Sequence, residues 1–238
     1  MRALLNLPKL PVSYVYEQEY EYWPWGMLLK VVVNWVSSNA PQSAFILDYM
    51  CGTGYLLNQM SAFRPDLKLA GCSNTKSYLN YGRRKYSNLD LVLQDAMKFK
   101  PRSMPAITMC MAGLHHLERS IHSRFIDKVA SELSSNNYFL LGEEIIADYK
   151  SEKERKIAVQ ELCSQLLAYV IKADAPRKVI EAVIDVLGND LFERGEYKTS
   201  IDNINNLLRS HFVIEDIKHV WPIGPYSFGD YLFICRKK

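Results

Sequence analysis

Residues 46–60, ILDYMCGTGYLLNQM, form the stretch of this sequence whose residue types and spacing point most directly to chemistry. An apolar, strand-like run ends at Asp48, Gly52 and Gly54 follow, and a helix-like pattern begins at Tyr55. Glycine lets the backbone turn sharply and approach a ligand, and the free N–H groups at a helix start attract negative charge. This pattern predicts a loop that binds a nucleotide or the carboxylate of an amino acid.

A second set of chemically capable side chains follows two later apolar runs. His115 and His116 come after the first run, and Glu143, Glu144 and Asp148 lie at the end of the second. An imidazole titrates near neutral pH, so either histidine could act as a general base. His115 and Glu143 are the candidate catalytic residues, and His116 is a candidate substrate contact. Histidines in such turns also serve only to bond the backbone. The acids could bind an amine or a divalent metal, but a solvated loop is the simpler interpretation, and we predict no metal site.

The segment 12–26 is unusually aromatic and acidic, with four tyrosines, two tryptophans and three glutamates. Aromatic faces and carboxylates together can hold a cationic centre. We therefore expect residues 1–43 to form a helical lid over the site, with Tyr16 and Tyr22 near the substrate. The alternative is that these rings simply pack against an edge of the sheet.

The elements that must position these residues alternate between short apolar runs and helical patterns. Such alternation predicts an α/β fold, a doubly wound and mostly parallel sheet with helices on both faces. The last two strands are joined by a loop too short for a helical crossover, so they should pair antiparallel. Seven strands are predicted, at 44–48, 67–72, 89–94, 106–111, 138–145, 212–220 and 228–236.

Residues 150–195 interrupt this alternation with two amphipathic helices. Ser151 and Glu154 form a capping box for the first helix. Asp174 can cap the second, with Pro176 in its first turn and Gly188 at its end. We interpret 150–195 as a helical insertion over the substrate side of a single domain, residues 1–238.

Composition excludes several classes of protein. The 238 residues carry 29 Lys and Arg against 26 Asp and Glu, a net charge of +3 that is too small to indicate nucleic-acid binding. No apolar run approaches the ~20 residues of a membrane-spanning helix. Pro8 and Pro11 interrupt the apolar start and no small-residue cleavage site follows, so we expect no signal peptide. Five scattered cysteines without a CxxC pair are typical of a reduced, cytoplasmic chain.

Residues 46–60 and three later stretches resemble the motifs of class I S-adenosylmethionine-dependent methyltransferases. The D-x-G-C-G-T-G motif of that family is similar to Asp48–Gly54, Gln94-Asp95-Ala96 resembles its adenine-binding motif, and Ala112–Leu117 resembles its Leu-His-His-Leu stretch. Leu141-Gly142-Glu143 and the final antiparallel strands are also similar. The resemblance covers nearly the whole chain from residue 44 and implies a Rossmann-like methyltransferase fold with S-adenosylmethionine as cofactor. The cofactor-binding residues that it implies are Asp48, Met50, Cys51, Gly52, Gly54, Ser73, Asn74, Asp95, Ala96, Met97 and Met111.

Three positions depart from the family pattern, one of them Ala106, which stands at the start of the fourth strand where an acid is often found. Met50 stands where the motif has its first glycine, and Ser73 stands where the ribose-binding acid is usual. A methionine crowds the pocket floor, and Ser73 or the neighbouring Asn74 can bond a ribose only without the assistance of a charge.

The leading hypothesis is therefore methyl transfer from S-adenosylmethionine to an oxygen or nitrogen of a small-molecule acceptor. Transfer from a sulfonium needs mainly alignment and exclusion of water, so few acid–base groups are required. The alternative is a methyltransferase-like domain with an altered or lost cofactor site, acting as a binding protein or in non-methylating chemistry. An RNA methyltransferase is a third possibility, although nucleic acid is not the expected partner. No membrane contact is expected, and a homodimer is possible.

Overall fold

The computed structural model describes residues 11–238, which fold around one seven-stranded sheet. The strands lie in the order β3-β2-β1-β4-β5-β7-β6. The chain order reverses between β1 and β4, which is the position where doubly wound sheets bind their ligands. The strands are β1 (Phe45–Tyr49), β2 (Lys68–Ser73), β3 (Asp90–Leu93), β4 (Ile107–Met111), β5 (Tyr138–Ile145), β6 (Phe212–Trp221) and β7 (Gly229–Lys237).

Five neighbouring strands run parallel, and β7 pairs antiparallel with both β5 and β6. Asp48 stands opposite Gly71 of β2 and Met109 of β4. The carboxyl ends of β1 to β5 consequently share one edge of the sheet, and the loops that leave this edge carry the predicted site residues.

Eight helices are found within residues 11–238, and they cover both faces of the sheet. Alternate residues of each strand enter two apolar clusters: Met109 packs with the helices of one face, whereas Cys110 packs with those of the other. The helices are α1 (Ser13–Tyr22), α2 (Trp25–Asn39), α3 (Tyr55–Phe63), α4 (Lys76–Lys85), α5 (Arg119–Ser131), α6 (Glu152–Lys172), α7 (Arg177–Leu191) and α8 (Ile201–Leu208).

The region 150–195 forms the two helices α6 and α7. The Ser151 hydroxyl accepts a hydrogen bond from the Glu154 N–H at 3.2 Å, as the capping box predicts. The prediction for Asp174 is wrong, because this residue lies in a left-handed turn (φ 52°) and α7 begins after Pro176 without a side-chain cap. Gly188 does not end α7 either, since the helix continues to Leu191.

The predicted fold class is confirmed, including the seven strands and the antiparallel β7. The signal-peptide expectation falls mostly on residues 1–10, which lie outside the described residues. Among residues 11–238, no helix combines the length and apolarity needed to cross a bilayer.

Candidate active site

The loop between β1 and α3, residues 50–54, is here called the glycine loop. Gly52 (φ 56°) and Gly54 (φ 82°) both occupy the left-handed region that glycine tolerates best. The Cys51 N–H donates to the Cys72 carbonyl at 3.0 Å, which ties the loop to β2. The N–H groups of Gly52 and Thr53 have no hydrogen-bond partner among the described residues. Two free amides next to a helix start form a cradle for a carboxylate or another anion.

Met50 also adopts a left-handed conformation, with φ at 60°. Such a conformation is costly for a residue with a side chain, which explains why glycine is usual here. The Met50 side chain turns toward Gly113, because a Cβ built on Gly113 would lie 3.0 Å from the Met50 methyl group. The glycine loop therefore touches the turn that follows β4.

Asp48, at the end of β1, is buried, with 3% of its surface exposed. Burial raises the pKa of its carboxyl to about 8, so this side chain is neutral at neutral pH. No described side chain hydrogen-bonds to it, and a cationic ligand group would supply the missing partner.

The residues predicted to bind the nucleoside lie at the ends of β2 and β3. The Ser73 hydroxyl accepts the Thr75 N–H at 3.2 Å, and Asn74 is exposed beside it. One oxygen of Asp95 accepts the Met97 N–H at 2.8 Å, which leaves the other oxygen for a ligand. Ser73 is therefore partly engaged in shaping the turn, whereas Asn74 and Asp95 retain groups that can bond a ribose or an adenine.

Helix α1 covers the glycine loop. Tyr16 stacks on Tyr78 with ring centres 4.4 Å apart, and a Cβ added to Gly52 would overlap the Tyr16 hydroxyl. Tyr20 stacks on Tyr55 at 4.5 Å. Tyr22 instead packs against the apolar cluster on one face of the sheet. Tyr16 and Tyr20 thus lie beside the loop and the start of α3, and the Tyr16 hydroxyl occupies the space next to Gly52.

Glu17 fastens α1 to helix α4 and the residue after it. Its carboxylate accepts hydrogen bonds from Lys85 at 2.5 Å and from the Tyr86 hydroxyl at 2.9 Å. Glu17 is buried, and Lys85 is half-exposed at 49%. These contacts join α1 to α4 at the surface.

His115 and Glu143, the predicted catalytic pair, are in contact. The Nδ1 atom of His115 lies 2.6 Å from Glu143, whose other oxygen accepts the N–H groups of Gly113 and Leu114 at 3.1 and 2.8 Å. Burial opposes a charge on His115, but the Glu143 carboxylate outweighs it and raises the pKa of the imidazole to about 9. Glu143 thereby fixes the position of the turn after β4 and of its imidazole.

Further charged residues gather around this pair, and together they are here called the charged cluster. Lys198 lies 3.1 Å from Glu144, 3.0 Å from Glu196 and 3.5 Å from Asp190. Burial disfavours the ammonium of Lys198, but these carboxylates raise its pKa well above the usual value. The cluster consists of His115, Glu143, Glu144, Asp190, Glu196 and Lys198, all of them buried.

Sequence reasoning missed Asp190, Glu196 and Lys198. The available signal was the stretch GEYKTS (195–200), in which charges alternate directly before a helix. The structure brings this stretch to the site because the Tyr197 N–H donates to the His115 carbonyl at 2.7 Å. The solvated-loop interpretation is wrong for Glu143 and Glu144, which are buried, and correct for Asp148, which is exposed.

Most of the predicted site residues lie at the carboxyl edge of the sheet. Ala96 and Met111 are buried there, and His116 is half-exposed beside His115. Tyr22 is the exception, because it packs against the apolar cluster on one face of the sheet. The free amides of the glycine loop and the unpartnered Asp48 fit the carboxylate and ammonium of an amino-acid ligand, so these residues suit S-adenosylmethionine.

Comparisons with known proteins concern the sequence and the fold of this chain. Residues 46–136 match a family model described as a methyltransferase domain. The carboxy-S-adenosyl-L-methionine synthase of Campylobacter lari is 26% identical over 200 residues, which cover 81% of this chain and 80% of that protein.

Solved structures share the same architecture. The plantazolicin methyltransferase BpumL, crystallised with S-adenosylhomocysteine (SAH), has a TM-score of 0.63 at 10% identity and covers 94% of this chain and 90% of its own. The N-methyltransferase NodS of Bradyrhizobium japonicum, also crystallised with SAH, has a TM-score of 0.58 at 11% identity. The match covers 90% of this chain and 88% of NodS.

The family-model match over residues 46–136 and the shared fold confirm the predicted resemblance to methyltransferases. The prediction of an enzyme that uses S-adenosylmethionine agrees with these comparisons.

Proposed function

We propose that this protein transfers the methyl group of S-adenosylmethionine to an oxygen or nitrogen atom of a small-molecule acceptor. The observation that carries this proposal is the contact between the two halves of the site. Met50 of the glycine loop packs on Gly113, and Gly113 is held by the same Glu143 carboxylate that holds His115. A donor on the loop and an acceptor beside His115 would therefore meet in one cleft.

In this proposal the bound cofactor supplies an activated methyl group, and the protein supplies position and shielding from water. The glycine-loop amides and Asp48 hold its amino-acid end, while Asn74 and Asp95 hold the nucleoside. His115, oriented by Glu143, faces the acceptor, and His116 lies beside it. Tyr16 on α1 closes the cleft as a lid, with residues 150–195 forming the wall on the acceptor side.

The test is SAH release by the purified protein from a panel of small amines and hydroxylated compounds. We expect acceptor-dependent SAH with the wild-type chain and at least a ~100-fold lower kcat for Glu143→Gln, because the imidazole loses its orienting carboxylate. Glu161→Gln, an exposed acid on α6, should retain full activity. If Glu143→Gln and Glu161→Gln turn over at the same rate, the proposed role of the His115 pair is contradicted.

The name of the Campylobacter lari relative favours a second candidate, addition of a carboxyl group to S-adenosylmethionine itself. That chemistry needs a cation for an anionic carboxyl donor, and the buried cations here are already paired. Lys198 contacts three carboxylates, and Arg155 contacts Asp190 and Glu152. Mass spectrometry of the nucleoside separates the candidates: SAH indicates methyl transfer, and a cofactor heavier by one carboxyl group indicates the second reaction.

We further propose that the protein acts in a reducing, cytoplasmic environment on a small molecule rather than on nucleic acid. All five cysteines are free and buried, which supports the first point. The buried, acid-rich surroundings of His115 support the second, because nucleic-acid sites present exposed cations to phosphates.

A further inference from the structure

His115, His116 and Glu196 form a compact group of metal-ligating side chains. One ligand atom from each residue lies within 4.8 Å of the other two. The histidines belong to the short 3-10 turn after β4, and Glu196 belongs to the segment between α7 and α8. The Tyr197 N–H donates to the His115 carbonyl at 2.7 Å, so the two segments are joined through their backbones.

The spacing of these atoms is close to that of the ligands around a small ion. The Nε2 atom of His115 lies 3.5 Å from one Glu196 oxygen. The Nδ1 atom of His116 lies 3.4 Å from the other oxygen and donates a hydrogen bond to the Gly195 carbonyl at 3.2 Å, which a bound ion would replace. A tetrahedral Zn²⁺ bound at its usual distances of about 2.0–2.1 Å separates its ligand atoms by about 3.4 Å. We propose that His115, His116 and Glu196 bind one Zn²⁺ ion.

The surroundings of His115 orient it for this task. Its Nδ1 atom lies 2.6 Å from Glu143, so Nδ1 donates its proton to that carboxylate and Nε2 is directed at Glu196. An ion bound at Nε2 would displace the proton that this atom carries in the charged imidazole. A carboxylate behind a ligating histidine is the arrangement that fixes the tautomer in metal sites. Glu143 is itself held by two backbone N–H groups, which makes the orientation rigid.

Acidic side chains surround this group. Among residues 11–238, two buried Lys or Arg side chains, Lys198 and Arg155, face these acids. Asp230 has a buried oxygen with no partner among the described residues, and repulsion from Glu144 adds to its burial in raising the pKa of its carboxyl. A nearby dication would favour the ionised form of this carboxyl.

Three protein ligands leave the fourth position of a tetrahedral ion open, as in catalytic rather than structural zinc sites. His116 is 44% exposed, which gives a small molecule access to that position. The role of the open position rests on the proposed function. It would take an oxygen or nitrogen of the acceptor and favour the deprotonated, nucleophilic form of that atom. The ion would also add a positive charge, which the second candidate reaction needs for its anionic carboxyl donor. The mass of the nucleoside product should therefore be measured with and without zinc.

The first test is metal binding by the full chain, with neither cofactor nor acceptor present. After chelator treatment and dialysis, the protein is titrated with Co²⁺, whose visible absorption reports tetrahedral nitrogen and oxygen ligands, and Zn²⁺ is then added in competition. We expect one equivalent of Co²⁺, displaced by Zn²⁺. A chain that remains folded by circular dichroism and binds neither ion contradicts the proposal.

Matched variants locate the site. His116→Gln should abolish the Co²⁺ absorption, whereas His211→Gln, which changes another partly exposed histidine paired with Asp127, should leave it unchanged. Glu143→Gln should bind one equivalent at about 10–100-fold lower affinity, because only the orienting partner is lost. Equal binding by His116→Gln and the wild-type chain overturns the assignment.

A second measurement covers the case in which a variant folds poorly. Zn²⁺ should raise the Tm of the wild-type chain and of His211→Gln, but not that of His116→Gln, because a ligand that binds only the folded state stabilises it. SAH binding by the metal-free chain is measured in parallel. Failure of SAH binding would contradict the methyltransferase proposal alone, and failure of metal binding would contradict the zinc site alone.

Discussion

The glycine loop and the charged cluster lie at the same edge of the sheet, but they are built from different interactions. The loop offers backbone amides, left-handed glycines and a neutral Asp48. The cluster offers acidic and basic side chains that hold one another in place around Lys198. The loop therefore depends on backbone conformation, and the cluster depends on charge balance.

This difference decides what could be predicted from the sequence. The glycine loop was found because the residues that set its conformation are neighbours in the chain, from Asp48 to Gly54. The strands were found for the same reason, since their apolar runs are local. Lys198 and Asp190 were missed because their partners are distant in sequence and no spacing rule connects them.

The boundaries of α7 show the same limit. Asp174 and Gly188 carry the local signals of a helix start and end, but packing against α6 sets the observed bounds.

Met50 is the opposite case. Its conflict with the glycine pattern was visible in the sequence, whereas the direction of its side chain, toward Gly113, required the structure.

The largest expected effect tests the charge balance of the cluster. Lys198→Met leaves buried carboxylates without their cation and should lower the free energy of unfolding by about 3–5 kcal/mol. Lys178→Met, which removes an exposed lysine bonded to Tyr14, should cost less than about 1 kcal/mol. Chemical denaturation measures both values. If both variants lose the same free energy of unfolding, the stability of the cluster does not depend on Lys198.

The next effect tests the glycine loop. Gly52→Ala places a methyl group against the Tyr16 hydroxyl and forces alanine into a left-handed conformation. We expect SAH affinity to fall by about tenfold or more, roughly 1.4 kcal/mol. Gly188→Ala is the control, because nothing lies within 4 Å of the added atom and alanine favours the helix. Unchanged affinity in Gly52→Ala would remove the loop from the cofactor site.

A third prediction concerns pH and the neutral Asp48. Its folded-state pKa of about 8 lies above the ordinary value of 3.8, so the folded protein binds the proton more tightly. The free energy of unfolding should therefore fall as pH rises from about 4 to 8, by up to about 1.4 kcal/mol per unit. The free energy of unfolding is measured at several pH values for each variant. Asp48→Asn should remove this contribution to its pH dependence, whereas Asp185→Asn, at an exposed position, should retain it. Identical slopes in the two variants would contradict the assignment.

The smallest effect compares two substitutions of Met50. Met50→Gly and Met50→Ala both delete the side chain beside Gly113, but only glycine relieves the left-handed strain. We expect the glycine variant to be more stable than the alanine variant by about 1 kcal/mol, measured by thermal unfolding. Equal stability would show that the loop imposes no strain at this position.

The most direct test of the central claim is calorimetric titration of the intact protein with SAH. Free amides at the glycine loop and an unpartnered Asp48 near Tyr16 predict one equivalent bound with micromolar affinity, weakened by Gly52→Ala and unaffected by Gly188→Ala. A folded protein that takes up no SAH at millimolar concentration would show that this edge of the sheet keeps the architecture of a methyltransferase without its cofactor site.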